Sequence, residues 1–477
     1  MTDVRGDRLD GALLRLIGVT LLGGIMGILD GTMVTVAAET LSTEFDRSLS
    51  VISWATTGYL LALTVTIPVT GWAVRRFGVK RLWLFGLVLF MGASLASALS
   101  WGVESLIAFR VVQGVGAGIL DPLVLVILAR AAGPSRAGRV MGMMGVVLSL
   151  GPVLGPVLGG LLLDSLGWRS MFSINIPIGV LALLLALRVI PADAPGERRA
   201  GLPLDIAGFA LMAPALAALV LALTEAGERG AFATPTVLVP LVLGAVLLAA
   251  YVVRALRLRG TEPLIDVRLF AGRSFAASVT VQGLVGVGTF AGLFVLPLYY
   301  QIAHGHTAAA AGLLVAPLGL GSALAMPVAG RLSDRLGART LVQGGALIAV
   351  AGAFALTFAG AEGAVVRSAL AAFAIGLGLG GVGAPTMGSL YRTLPQEKVP
   401  QGSSVLYNLN QLGGALGVAC AALIVAVGGF QGAYWFLVAV GVAILAASPL
   451  LPGRFREIPA RPPEPDPEPS CAGTERA

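Results

Sequence analysis

Charge is what this chain has least of. Of its 477 residues only 12% are Asp, Glu, Lys or Arg, while 56% are hydrophobic and the mean hydropathy is +0.89. An average soluble domain carries about 25% charged residues, so a soluble fold of this length is excluded. Cysteine is nearly absent too. Cys420 lies in an apolar block and Cys471 in the C-terminal tail, which leaves no disulfide framework and no C-x-x-C metal pair. Histidine occurs only as His304 and His306, in one HGH triplet. Two imidazoles without an acidic or cysteine companion make a poor metal site, and no metal or other cofactor is expected. No G-x-x-x-x-G-K-[ST] stretch occurs, which argues against ATP as a direct energy source. No A-x-A-like cleavage site follows the charged start MTDVRGDRLDGALLR, so the first apolar block reads as an uncleaved helix rather than a signal peptide. An enzyme would need acid, base or metal-binding residues clustered at one membrane face, and the scattered carboxylates do not supply them.

What is present in excess is apolar sequence, in blocks of roughly 20 residues, the length of a helix that crosses a bilayer. The blocks predict fourteen spans, at 14–38, 51–73, 82–100, 104–129, 140–163, 170–190, 204–224, 234–253, 274–299, 309–329, 341–360, 364–390, 402–427 and 431–451. The 65 glycines fit this class, because membrane helices use glycine for close packing. The basic residues alternate from loop to loop. With the N-terminus inside, 27 of the 32 Lys and Arg fall inside. Arg47, Arg169, Arg229 and Arg367 fall outside, and Arg110 within a span. The positive-inside rule then makes both termini cytoplasmic. It also assigns the net charge of +7 to topology and anionic headgroups. Nucleic acid is not an expected partner, since these cations are spread over short loops. The closing RPPEPDPEPS is proline-rich and acidic and reads as disordered.

The chain also repeats itself. GWAVRRFGVKR from Gly71 and GRLSDRLGART from Gly330 share a G-x-x-x-x-R-x-G pattern, offset by 259 residues. Each lies between two spans, the second and third and the tenth and eleventh. Two six-helix bundles separated by two extra helices give that offset, and parallel repeats around a midplane site are a transporter architecture. The predicted division is 1–190 for the first bundle, 191–260 for the two central helices, 261–451 for the second bundle, and 452–477 for the tail.

At this point the residues carry a resemblance. LDGTMVTVA resembles the first-helix L-D-x-T-x-V-x-V-A of the major facilitator superfamily, in particular its fourteen-helix drug:proton antiporters. GWAVRRFGVKR resembles that family's G-x-L-x-D-R-x-G-R-K loop, RVVQGVGAG its R-x-x-Q-G-x-G-A in helix 4, and GPVLGG its G-P-x-x-G-G antiporter motif in helix 5. WRSMFSINIPIG resembles the segment that follows. The five motifs stand in family order across nearly the whole chain. The resemblance implies an all-α polytopic fold in the cell membrane and a monomer. The implied activity is proton-coupled efflux of amphipathic or cationic drug-like molecules or antibiotics. A proton symporter or facilitator for a small solute is the alternative. Gly71, Arg75, Arg76 and Gly78, with Gly330, Asp334, Arg335 and Gly337, would form the conformational switch. Gly151, Pro152, Gly155, Pro156, Gly159 and Gly160 would form the antiporter motif, as a bending seam or as ordinary tight packing. Arg75 departs from the pattern by standing where the family has aspartate. Thr35 and Glu39 also depart from it, and Asp121 is an added charge.

Ionisable groups inside a membrane are costly and mark function by default. Asp30 sits within 22 otherwise uncharged residues, and Arg110 lies at similar depth in helix 4. The resemblance implies that both helices line the central cavity. Asp30 is therefore a candidate proton or cation site with Arg110 beside it, or a structural contact that fixes helix 1. Asp121 follows Arg110 by eleven residues, which returns to nearly the same helical face. It would line the cavity nearer the cytoplasm, or pair with Arg130 or water at the inner boundary. Glu39 reads as an outer-rim carboxylate unless the helix bends. Candidate substrate contacts are Asp30, Trp54, Tyr59, Gln113, Gln282, Asn408 and Gln411. Trp54 would equally serve as an interfacial anchor, and the amides as helix-to-helix bonds.

Overall fold

The computed structural model describes residues 10–193, 201–258, 262–358 and 364–453, and these are helical without a β-strand. The tail beyond Gly453, Cys471, Arg5 and Arg8 lie outside the described residues. The chain runs through α1 (Gly11–Met33), α2 (Ala38–Phe45), α3 (Leu49–Phe77), α4 (Val79–Ala98), α5 (Val103–Leu166), α6 (Arg169–Ser173) and α7 (Asn175–Val189). It continues through α8 (Ile206–Arg229), α9 (Pro235–Arg257), α10 (Arg273–His304), α11 (Ala308–Leu336), α12 (Ala338–Leu356), α13 (Ala364–Thr393) and α14 (Val399–Ala447).

Twelve of the described helices are long and apolar enough to cross a membrane, or thirteen if the bent pair Arg136–Pro152 and Leu154–Leu166 counts as one span. Fourteen were expected from the sequence. The difference lies in two places: the expected span 140–163 falls on the bent pair, and the expected spans 402–427 and 431–451 fall in one continuous run, Gln396–Leu450. The long runs are not straight rods. α5 is interrupted by non-helical backbone at Gly133 (φ 66°) and α14 at Gly429 (φ 63°). Arg47 pairs with Glu104 at one end of α5, and Glu44 pairs with Arg169 just past the other. Both ends of α5 therefore meet the same segment, so the chain doubles back at Gly133. The ends of α14 are likewise brought to one side. Gln401 packs on Gly71, while the Arg339 Nε donates to the Leu451 carbonyl at 3.1 Å.

The first expected span, 14–38, is shorter than predicted. α1 stops at Met33, and α2 begins separately at Ala38. The sequence between is rich in Thr and Val, whose β-branched side chains lose rotamer freedom in a helix. The Thr35 hydroxyl also donates to the Thr32 carbonyl at 2.7 Å, a local bond of the kind that competes with helix continuation.

The 259-residue repeat is visible in three dimensions. Gly78 and Gly337 hold matching backbone angles, φ 90° and 84°, at the junctions α3–α4 and α11–α12. Such angles suit glycine, which has no Cβ to clash. Two residues after each glycine a cation clamps the chain at the end of the last helix of its own bundle. Lys80 Nζ donates to the carbonyls of Leu187 and Ile190 at 2.9 and 2.7 Å, and Arg339 does the same to Leu451. α8 packs against both α3 and α14, with α9 alongside it. The outer face of α9 exposes Val239, Val242 and Val246, an apolar surface suited to lipid.

Candidate functional site

Asp30 and Arg110 meet. Asp30 is 1% exposed and Arg110 is fully buried, and Arg110 Nη1 donates to Asp30 Oδ2. Three other groups fix the pair. Asn175 Nδ2 donates to Asp30 Oδ1 at 2.8 Å and to the Ser94 hydroxyl at 2.9 Å. Arg110 Nε donates to the Ala55 carbonyl at 3.1 Å, and its Nη1 donates to Gln113 Oε1 at 2.8 Å. The guanidinium lies over the Tyr59 ring, 4.2 Å from its centroid, a cation–π arrangement. Tyr59 in turn donates to the Gly27 carbonyl at 3.0 Å. Additional hydrogen bonds are what make a buried ion pair tolerable, and α1, α3, α4, α5 and α7 all contribute here, although Arg110 Nη2 and Gln113 Nε2 stay buried without a hydrogen-bond partner among the described residues.

Beside this pair, a cavity of about 480 Å³ lies between the two bundles. Its wall is mostly apolar, with Leu63, Phe290, Leu293 and Leu379 among the lining residues. Among the described lining residues one carries a charge, Asp121. Tyr59 lines the cavity, whereas Asp30 and Arg110 do not. The tyrosine ring is thus a partition with the ion pair behind it and Asp121 in front. Asp121 is 4% exposed and accepts a 2.6 Å hydrogen bond from the Tyr407 hydroxyl of α14. Of the two alternatives the sequence left open, a place on the cavity wall or a pairing with Arg130 or water, Asp121 is on the wall, and its hydrogen bond crosses from one bundle to the other. A Cβ added at Gly27 would meet Asp121 Oδ1 at 3.3 Å and the Tyr59 hydroxyl at 3.6 Å. That glycine leaves room for the two groups to approach α1.

The remaining expected contacts divide. Gln282 and Gln411 line the cavity. Trp54 is 43% exposed and away from the cavity wall, as an interfacial anchor would be. Gln113 is fully buried and holds Arg110. Asn408 is buried and off the wall, and neither of its side-chain polar atoms has a hydrogen-bond partner among the described residues. Glu39 is exposed on α2. His304 donates to or accepts from the Tyr299 hydroxyl at 3.0 Å and stacks against His306. Among the described residues no cluster of three or more His, Cys, Asp or Glu could hold a metal ion.

Sequence reasoning missed Asn175, Tyr407, Asn410 and the serine pair Ser149 and Ser322. Asn410 lines the cavity and donates to the Gln282 carbonyl at 3.1 Å. The two serine hydroxyls meet at 2.8 Å across the bundles. A signal for Asn175 was available, as a lone asparagine in an apolar helix. For Tyr407 nothing local distinguishes it from an interfacial tyrosine.

The glycine–proline segment of α5 bends by 44° between Pro152 and Leu154. Pro156 has no amide to donate to residue 152, which is a physical cause for a bend. Gly151 and Gly155 face Ile28 and Thr32 of α1, and Gly159 faces Met33, so α1 is drawn against this seam. Gly160 meets no neighbour within 4 Å, while Pro152 and Pro156 line the cavity.

At the basic-loop end the bundles are closed on each other. Asp334 accepts from the Gly138 and Arg139 amides at 3.1 and 3.2 Å and pairs with Arg392. Those amides lie in α5 shortly after its break at Gly133, near the positive end of the second segment, where a carboxylate is favoured. Gly330 packs against Gly138, and Gly142 against the Met326 carbonyl. Gly71 packs on Gln401, and the Ser404 hydroxyl donates to the Ile67 carbonyl at 3.1 Å. Arg335 is exposed, and Arg76 half-buried. Arg75, expected to leave its loop without a carboxylate, pairs with Glu262.

Comparison with known proteins agrees with this architecture. The Major Facilitator Superfamily model matches residues 20–367 and 279–474. A multidrug resistance protein B homolog of Mycobacterium tuberculosis is 38% identical over 417 residues, covering 87% of this chain and 76% of that one. The lincomycin resistance protein LmrB of Listeria monocytogenes is 30% identical over 408 residues, covering 86% and 85%. Among solved structures, the proton:xylose symporter XylE superposes with a TM-score of 0.64 at 17% identity, over 92% of this chain and 96% of the other. That likeness is one of fold. The family model and these relatives show that the chain, with its repeated loop, its cavity between the bundles and its Asp–Arg pair buried within the first bundle, belongs to the Major Facilitator Superfamily, a family of membrane transporters.

Proposed function

We propose that the protein is a proton-coupled antiporter that expels amphipathic, cationic or antibiotic-like molecules by alternating access. The observation that carries this reading is the cavity itself: a mostly apolar chamber between the bundles with one carboxylate, Asp121, on its wall. Such a wall accepts a hydrophobic body of variable shape, and the carboxylate attracts a positive charge. The ion pair behind Tyr59 holds a second carboxylate, Asp30, which is the proposed proton site. The relatives named for multidrug and lincomycin resistance support the export direction.

The same reading takes fourteen crossings, two bundles at 1–190 and 261–451, central helices at 191–260, and both termini in the cytoplasm of a cell-membrane protein. Support for the count comes from Gln396–Leu450. Its 55 residues exceed by far the roughly 20 that one crossing needs, and its two ends lie on one side of the bundle. The test is a panel of lipophilic cations and antibiotics on cells lacking their main efflux pumps, with and without an uncoupler. Resistance conferred by the chain and abolished by the uncoupler is the expected result. Resistance to no compound, or resistance indifferent to the uncoupler, would overturn it.

A further inference from the structure

The repeat sets the question. The offset of 259 places Arg75 where the second bundle has Asp334, and maps Gly138 and Arg139 onto Glu397 and Lys398. Asp334 works by accepting from amides of the opposite bundle shortly past the Gly133 break of α5. An arginine cannot repeat this. At the matching place it would face the positive end of α14 and the Lys398 ammonium, which repel a cation, beside Glu397, which attracts one.

The structure resolves the conflict with a different segment. Residues 262–266, the exit from α9, carry two carboxylates. Glu262 pairs with Arg75 on the first bundle, and Asp266 accepts from Lys398 Nζ of the second at 3.1 Å. The segment is anchored between them. The Tyr251 hydroxyl of α9, buried to 1%, both donates to the Ile265 carbonyl and accepts from its amide, each at 2.8 Å. The entry to the central helices is tied to the same stretch of α3, where Trp72 Nε1 donates to the Leu202 carbonyl at 3.2 Å. The Arg75 side chain is 15% exposed, so its charge needs a partner when the bundles are closed.

We infer that Glu262 is a gate-positioning residue: the exit strap of the two central helices supplies the carboxylate that the first loop lacks, and Arg75–Glu262 latches the basic-loop end shut. The latch is inverted in charge relative to its twin at Asp334, and it makes the central helix pair part of the gate. This inference rests on alternating access. Its test reads the state of the gate in the absence of substrate, so its failure is distinguishable from a failure of the transport reading.

Ser404 is fully buried against Ile67 across the gate. Ser404→Cys is the reporter, in full-length protein with Cys420 and Cys471 changed to serine, and maleimide labelling is timed on purified protein in nanodiscs. Arg75→Glu and Glu262→Arg each put like charges face to face. Each should raise the labelling rate by about 5-fold, and the double swap should bring it back to within about 2-fold of the parent. Singles that label at the parent rate, or a double swap as fast as the singles, overturn the latch. Where a charge reversal fails to give monodisperse protein, Glu262→Gln stands in: faster labelling supports the latch, and an unchanged rate overturns it.

Discussion

Asp30 and Arg110 hold each other in a place where neither is stable alone. Truncating the cation leaves an unpaired buried carboxylate, and breaking a buried pair costs about 3–5 kcal/mol. Arg110→Ala should therefore express poorly or lose transport altogether. Arg110→Lys keeps the charge but loses the bonds to Ala55 and Gln113 and the flat stacking on Tyr59, so partial activity is expected. Asp30→Asn keeps the side chain's volume and cannot carry a proton. If Asp30 couples transport to protons, this variant exchanges substrate down its gradient in vesicles but does not accumulate it when a pH gradient is imposed. Retained pH-driven accumulation would remove Asp30 as the proton carrier and shift that role to Asp121. For Asp121 the decisive partner is Tyr407. Removing a hydrogen bond to a carboxylate costs about 1.5–3 kcal/mol, and here the bond spans the two bundles. Tyr407→Phe should loosen the closed state while leaving the charge in the cavity. Asp121→Asn should instead weaken binding of lipophilic cations more than of neutral drugs of equal size. Equilibrium binding of one cation and one neutral compound to the purified variants checks both.

At the scale of elements, the contacts that close the basic-loop end are made by backbone as much as by side chains. A Cβ added at Gly138 would stand 2.5 Å from the Gly330 carbonyl oxygen, and one at Gly330 would stand 3.1 Å from the Gly142 Cα. Neither neighbour can rotate away. Overpacking of this kind costs about 1–3 kcal/mol, and it falls only on the state in which α5 and α11 touch. Gly330→Ala should thus fold normally and favour the conformation open at this end, seen as faster labelling of a Ser404→Cys reporter. Unchanged labelling would mean that the helices have room to slide apart without opening. Asp334→Asn should act in the same direction, because an amide oxygen accepts the Gly138 or Arg139 hydrogen bond more weakly and cannot pair with Arg392. Arg75→Asp would put an aspartate where the resembled family has one. With Glu262 in contact, the same change sets two carboxylates against each other, and slower transport is the expected outcome.

For the molecule as a whole, the testable consequence is the energy source. Efflux should collapse when the proton gradient is dissipated, and survive ATP depletion while the gradient is clamped. Efflux that follows ATP instead would remove the antiporter reading. Bilayer-length apolar runs, basic loops and the 259-residue repeat are local signals, and they made the class and the repeat legible before any coordinates. Asp30 and Arg110 were legible as a pair, because few ionisable groups are available at that depth. The break after Met33 was not, since an apolar stretch rich in Thr and Val satisfies hydropathy whether it is helical or not. Nor was the placing of Trp54, Gln113 and Asn408 off the cavity wall, because which side of a buried helix faces a cavity depends on its neighbours. The sequence by itself determined a helical membrane protein of two related halves, through hydropathy and periodicity, which each segment carries alone. Only the tertiary structure decided that Tyr407 meets Asp121, that Tyr59 screens the ion pair, and that Glu262 answers Arg75. These partners lie 286, 29 and 187 positions apart, and no local preference encodes a contact that exists only once the bundles and the central helices have packed.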